Sequence, residues 1–250
     1  SVIENISIPY QVQKICTGAF QSCEYIDSVT IPNESQLSEI GQYAFANSSI
    51  ESILIPFFVT KICKYAFSDC RYLKSVKILF LSQIETIEKF AFSNSSIRNI
   101  YIPYNVTKIC ESAFESCNNL KDIIFDPYSQ IKTIEKNAFK NSSIRSISIP
   151  SSISKLKNKW CNGTLFMNSI VIMNKCFKNY EEDNRLVVGK SDLNKDEFDV
   201  LIFATRNIQM INIPSNIKII SSCSFSQSSI EYILIPSNVS EICDGAFKSC

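Results

Sequence analysis

The chain has 250 residues, 45% of them hydrophobic and 11% aromatic, with 25 Lys+Arg against 24 Asp+Glu and a formal net charge of +1. This apolar content suffices for a core and excludes a disordered chain, while the balanced charge excludes the basic field that draws proteins to nucleic acid. Histidine is absent, which removes Ser-His-Asp and Cys-His triads, histidine bases and histidine-containing zinc sites. Only 5 glycines are present, too few for Gly-rich phosphate loops. No apolar run approaches the ~18 residues of a membrane span, and no secretory leader opens the chain.

From the first residues onward the chain repeats. Pro9, Pro56, Pro103 and Pro150 lie 47 apart, as do Cys16, Cys63 and Cys110, and again Cys23, Cys70 and Cys117. Within each 47 is a shorter beat: Phe20, Phe45, Phe67, Phe92, Phe114 and Phe139 alternate at 25 and 22, and Phe225 and Phe247 resume at 22. A small residue precedes each Phe. Each unit opens on a β-branched stretch such as Ile50 to Ile55, which ends at a proline that cannot continue a ladder and so predicts one short strand. The following stretch, Val59 to Cys70, carries apolar residues at roughly helical spacing and predicts a helical turn or 3-10 piece. One unit cannot bury its own apolar face, so neighbours must stack around columns of Ile, Val and Phe. The expected fold is an α/β solenoid of leucine-rich-repeat type. It has 22- and 25-residue units, one parallel strand per unit, and short helical or 3-10 segments on the convex side.

The phase is regular over 1–150, breaks over 151–207 and returns over 208–250. Trp160-Cys161 stands where Ala-Phe belongs, and the interval carries the longest charged stretches, including Glu181 and Glu182, which read as a solvated face. Apolar patches at Ile170 to Ile172, Leu186 to Val188 and Val200 to Phe203 predict divergent strands inside an irregular island of the same solenoid. Neither end carries the atypical capping repeat that an exposed solenoid end requires. The expectation is a piece of a longer array.

The Ile-Pro after the strand and the Ala-Phe-x-x-Cys at the unit's close resemble the BspA-like type of leucine-rich repeat. That family comprises surface proteins of bacteria and protozoan parasites. The likeness covers residues 1–160 and 206–250. The island segment Leu186 to Ser191, followed by Asp199 to Ala204, is similar to interrupted arrays of the protozoan members. The chain departs from the pattern by alternating Cys23-type with Ser48-type endings, and by losing Ile-Pro at Ile78-Leu79 and Phe125-Asp126. The resemblance implies adhesion and host contact at a cell surface, and names no ligand.

Eleven cysteines raise metal and disulfide chemistry. Zinc sites use closely spaced C-x₂₋₄-C pairs, whereas these are C-x₆-C in apolar frames. Column neighbours recur only every second unit, about 9–10 Å apart and beyond the ~7 Å limit for a bridge. They therefore read as buried thiols alternating with Ser48, Ser95 and Ser142, while a pair among the off-pattern Cys161, Cys176 and Cys223 stays open. Gly189-Lys190-Ser191 lacks the upstream glycine of a phosphate loop, because Asn184 stands there. Asp192-x-Asn194-x-Asp196 has Glu197 where a calcium loop needs Gly. No metal, cofactor or catalytic constellation is expected, so the chain reads as non-enzymatic.

Three surface features remain. Asn-x-Ser/Thr occurs eight times, with Asn47, Asn94, Asn105, Asn141 and Asn238 as glycosylation candidates if the protein is exported. The residues after the strand-ending prolines, Tyr10, Phe57 and Tyr104, form an aromatic column to which Phe58 adds a ring. They are contact candidates, or else they fold over the core. In each strand the residue after the first isoleucine points outward, and this column reads Glu4, Asp27, Glu51, Lys74, Arg98, Lys121, Arg145, then Gln209 and Glu231. Four consecutive cations, with Lys77 and Tyr101 beside them, are either a solvated run or a site for an anionic polymer. The expected function is a cell-surface or extracellular protein that binds host or matrix proteins or anionic glycans through the solenoid face. No nucleic-acid partner is expected, and membrane attachment only through a segment outside this chain. The alternative is an intracellular scaffold for protein–protein interaction.

Overall fold

The computed structural model describes residues 3–172, 175–180 and 184–250; the acidic pair Glu181 and Glu182 lies outside them. The chain winds as a parallel β-solenoid of about ten turns. Every coil contributes two short strands. The first builds a front sheet of Asn5–Ser7, Ser28–Thr30, Ser52–Ile55 and Ser75–Ile78, continued by the pair Asn99–Ile102 and Asp122–Phe125 and the pair Ser146–Ile149 and Ser169–Ile172. The second builds a back sheet of seven two-residue strands from Lys14–Ile15 to Lys155–Leu156. Both sheets pair in register, as Ser52 with Ser75 and Lys61 with Thr86 show.

The helical or 3-10 segments expected between units are not there, and neither is the single strand per unit. Among the described residues there is no helix. In the stretch read as helical, Lys61–Ile62 is a back-sheet strand and the remainder is a run of turns. Tyr65 and Asp69 sit at φ of 58°, in the left-handed region that a right-handed helix cannot include. The backbone donors then alternate. Ala66 and Ser68 donate locally to the Cys63 and Tyr65 carbonyls, while Tyr65, Phe67 and Asp69 donate to Lys89, Ala91 and Ser93 of the next coil at 2.8–3.1 Å. Left-handed residues two before and two after the Phe recur in each regular coil, for example at Tyr43 and Asn47, Phe90 and Asn94, or Asn137 and Asn141. Each costs about 1–2 kcal/mol of backbone strain, offset by its bond to the adjacent coil. Apolar residues three apart can thus come from stacked turns as well as from a helix.

The core is the set of columns this winding creates. Ile50, Ile55, Ile62 and Phe67 are fully buried, as are their equivalents in neighbouring coils. The rings stack face to face from Phe20 through Phe45, Phe67, Phe92 and Phe114 to Phe139, with centroids 5.0–5.5 Å apart and planes within 15°. That spacing is close to the ~4.8 Å between paired strands, so strand pairing sets the ring repeat. The column stops at Trp160, which meets Phe139 edge-on at 6.1 Å and tilts against Phe203.

Regular winding continues to Ile172, where Ser169–Ile172 pairs in parallel with Ser146–Ile149. An antiparallel meander follows, Phe177–Tyr180 with Leu186–Gly189 and that strand with Val200–Ala204. Val200–Ala204 then pairs in parallel with Ile219–Ile220 and restarts the array. The middle strand is buried on both faces, because side chains alternate across a strand. Val187 packs into the first core, Leu186 and Val188 into a second core around Ile208, Ile220 and Phe225.

The 22/25 alternation also has a structural cause. In the longer units two residues, Ser35-Gln36, Ser82-Gln83 or Ser129-Gln130, are inserted where the chain turns from front strand to back strand. Each serine is buried and its hydroxyl accepts from the N–H two residues on, at Leu37, Ile84 and Ile131. The third extra residue follows the cysteine turn, as in Cys70-Arg71-Tyr72-Leu73 against Ser48-Ser49-Ile50.

Candidate binding surface

The column of charges on the front sheet is linked through the backbone from Glu51 to Lys121. Its backbone links run from the Lys74 N–H to the Glu51 carbonyl (2.9 Å), from Arg98 to Lys74 (3.3 Å) and from Lys121 to Arg98 (2.9 Å). Lys74, Arg98, Lys121 and Arg145 are all exposed, as is Lys77 on the same face. Lys74 is paired with Glu51 at 3.0 Å. Among the described residues, Arg98, Lys121 and Arg145 have no ion pair. On the back sheet Lys14 pairs with Glu39 (3.0 Å), Lys61 with Glu88 (3.6 Å) and Lys108 with Glu135 (3.2 Å), while Lys155 has no ion pair among the described residues. Tyr101 is half-buried and its hydroxyl donates to Asp126 Oδ2 at 2.5 Å. Burial and that carboxylate push the phenol well above its usual range. Tyr101 therefore holds Asp126 in place beneath the surface.

At the edge after the front strands, Tyr10, Phe58 and Tyr104 are exposed, and Phe57 is half-buried with its ring edge-on to Phe58 at 5.0 Å. The column is longer than the proline spacing indicates. Phe80 is 69% exposed and Tyr128 81% exposed, with Leu81 beside them. Sequence reasoning missed these three because their units lack Ile-Pro; setting aside the Ser-Gln insertion aligns Phe80 and Leu81 with Phe57 and Phe58, and Tyr128 with Asn105. Between the rings lies a pocket of about 240 Å³ with Asp126 in its wall. A second pocket of about 450 Å³ also includes Asp126 and reaches Ser148 and Pro150. It lies where the front sheet is interrupted, since Asp122–Phe125 and Ser146–Ile149 belong to separate ladders. Lys121 and Arg145 immediately precede these two strands.

No disulfide joins any of the cysteines among the described residues. The Cys70 thiol donates to the Phe45 carbonyl at 3.0 Å and lies 3.7 Å from Ser48 Oγ; Cys117 repeats this with Phe92 and Ser95, and Cys250 with Phe225 and Ser228. Serine and cysteine thus alternate in one hydrogen-bonded column. Burial pushes Cys63 and Cys70 up to about 11 and Cys117 and Cys161 up to about 12. Among the described residues no group of three or more Cys, Asp and Glu is placed to hold a metal. An unfolded chain releases these four protons near pH 9, while the fold retains them. Stability is therefore fullest below pH 9 and falls as pH rises toward 11–12, with a limit of about 1.4 kcal/mol per thiol per pH unit. Unfolding midpoints measured from pH 8 to 11 check this. In the same experiment denatured protein should titrate eleven thiols, and a substantially lower count would contradict the column.

The sequon asparagines mostly serve the winding. Asn47, Asn94 and Asn141 occupy left-handed positions. The side-chain amides of Asn47, Asn94, Asn105 and Asn238 donate to Ser22 Oγ, Asp69 Oδ1, the Ser82 carbonyl and the Ser215 carbonyl of the preceding coil. Asn105 is half-buried, and the other four candidates are exposed.

The coil geometry and its residue columns match a known family. The model for the BspA type leucine rich repeat region matches at 1–121, 38–168 and 161–250, and the chain belongs to this family of leucine-rich repeat proteins. Among solved structures it is similar to a leucine rich cell surface protein from Faecalibacterium prausnitzii A2-165, at TM-score 0.84 and 24% identity over 99% of this chain and 67% of that one. It is also similar to the pneumococcal vaccine antigen PcpA (TM-score 0.74, 21% identity, 96% of this chain and 56% of that one). A leucine-rich repeat protein from Eubacterium ventriosum follows (TM-score 0.60, 20% identity, 98% and 57%). The chain thus spans little more than half the length of the latter two. These likenesses establish the fold, and all three neighbours are bacterial. No curated protein matches the sequence.

Proposed function

We propose that this protein is a non-enzymatic binding protein of the cell surface whose front sheet holds an anionic glycan, sulfated or sialylated, in an adhesive contact with a host. The observation that carries this reading is the run Arg98, Lys121 and Arg145, exposed and without acidic partners among the described residues, while Lys14, Lys61 and Lys108 on the back sheet are paired. Like charges on neighbouring strands, about 5 Å apart, repel one another. An anionic polymer removes that repulsion and gains several charge-assisted contacts at once. Surface placement is supported by the descriptions of the bacterial neighbours and by the exposed sequons Asn47, Asn94, Asn141 and Asn238, which we take as glycan attachment sites. No observation favours the intracellular scaffold.

Retention on immobilised heparin tests the reading. Wild-type protein should be retained at low salt and elute as ionic strength rises, because exposed charges are screened over ~10 Å at 0.1 M. The double reversal Arg98→Glu with Lys121→Glu should pass through unretained while keeping its thermal midpoint. Wild-type protein that is not retained, or a double variant retained equally well, would overturn the proposal.

A further inference from the structure

The edge pocket has a composition that the front-sheet reading does not use. Asp126 is only 4% exposed. Its carboxylate accepts from the Tyr101 hydroxyl at 2.5 Å and, across Pro127, from the Tyr128 N–H at 2.8 Å. No cation pairs with it among the described residues. A buried carboxylate left without a counter-charge is costly, and its field extends into the pocket it lines. Around that pocket stand the rings of Phe80, Tyr104 and Tyr128. None of the three stacks on another aromatic residue among the described residues. Aromatic faces beside an uncompensated carboxylate attract a cation.

The polar lining narrows the choice of cation. Both Asp126 oxygens already accept hydrogen bonds. Ser82 Oγ accepts from the Ile84 N–H at 3.4 Å, the Asn105 side-chain amide donates to the Ser82 carbonyl at 3.2 Å, and Tyr104 Oη accepts from Gln130 Nε2 at 2.5 Å. A primary ammonium or guanidinium gives up strong hydration at its N–H donors on entering and must share acceptors already in use, at a penalty. A quaternary ammonium brings no N–H donor and needs only charge and ring faces. The volume of about 240 Å³ is small for a drug-sized site and suits a single headgroup. We propose that this pocket binds a quaternary ammonium group. The proposal stands apart from the cation run on the front sheet, and either can fail while the other holds.

The experiment uses the whole chain and choline as the probe, followed by calorimetry and by the choline N-methyl resonance in low-salt buffer. 3,3-Dimethylbutan-1-ol serves as the uncharged isostere and n-butylammonium as the primary amine. Choline should bind saturably and more tightly than either. Tyr128→Ala, at a side chain so exposed that the fold does not depend on it, should weaken choline about three- to fivefold. Asp126→Asn should weaken it further wherever its thermal midpoint shows it folded. Absence of saturation would overturn the proposal. So would an isostere or n-butylammonium that binds as tightly as choline, or a Tyr128→Ala variant indistinguishable from wild type.

Discussion

Phe92→Ala is expected to destabilise the protein by about 3–5 kcal/mol, the range for truncating a fully buried aromatic ring. Phe92 is completely buried, and its ring stacks at 5.2 Å on Phe67 and 5.4 Å on Phe114. Alanine leaves a ring-sized gap, which the adjacent coils cannot close because their own strands hold them in register. The two lost stacking contacts add about 0.5–1.5 kcal/mol each in aromatic pairs generally, part of it within the same range. For a chain of this size the thermal midpoint should fall by roughly 6–20 °C. Phe92→Leu should recover much of that loss, since it keeps volume and forfeits mainly the stacking. Chemical denaturation of the three proteins measures the series. A loss under about 1 kcal/mol for alanine would mean that the ring column does not carry the core.

The second large effect has the opposite sign. Arg206→Met is expected to raise stability by about 1–3 kcal/mol, as replacement of buried charge by apolar side chains often does. Arg206 is 3% exposed. Its Nη1 donates to the Ser224 carbonyl at 3.0 Å and the Ala204 carbonyl at 3.3 Å, but Nε and Nη2 have no partner. No carboxylate faces it among the described residues; desolvation lowers its pKa, and only the thiols of Cys161, Cys223 and Cys250 oppose that. Methionine follows the arginine side chain as far as Nε and removes the charged group that now covers the Phe203 ring at 4.4 Å. The Ser224 carbonyl retains a donor in the Ala204 N–H. Urea midpoints of the two proteins give the sign. A clear loss of stability would show that the guanidinium has a compensating partner.

The stacking of coils was legible because every coil needs the same residues at the same depth, so Phe45, Phe67 and Phe92 announce one column whatever the local conformation. Local conformation was legible only where it follows from side-chain type. The strand at Ser52–Ile55 is long enough to alternate. Lys61–Ile62 has two residues, too few for any period, and left-handed residues such as Tyr65 and Phe90 carry no glycine to mark them. The front cations could be aligned from sequence because all regular units share the strand. Their pairing state could not, since Glu51 meets Lys74 only through register. The edge pocket was half visible: Tyr104 follows a proline, while Phe80, Tyr128 and Asp126 sit in units that lack the Ile-Pro marker. Arg206 gave no signal because its burial arises where the meander meets the resumed coils.

The interruption of the ring column at Trp160 also bears on how far order travels through the molecule. In a stacked array each layer senses only its neighbours, so cooperativity extends as far as the interfaces stay uniform. Here the run of like interfaces ends at Phe139, and beyond it two cores meet across the strands Leu186–Gly189 and Val200–Ala204, each of which places side chains in both. Those two paired strands replace the stacked rings as the link between the two parts of the array. A contact made at the front cations and one made near the resumed coils therefore fall on opposite sides of this junction, where the uniform stacking is interrupted.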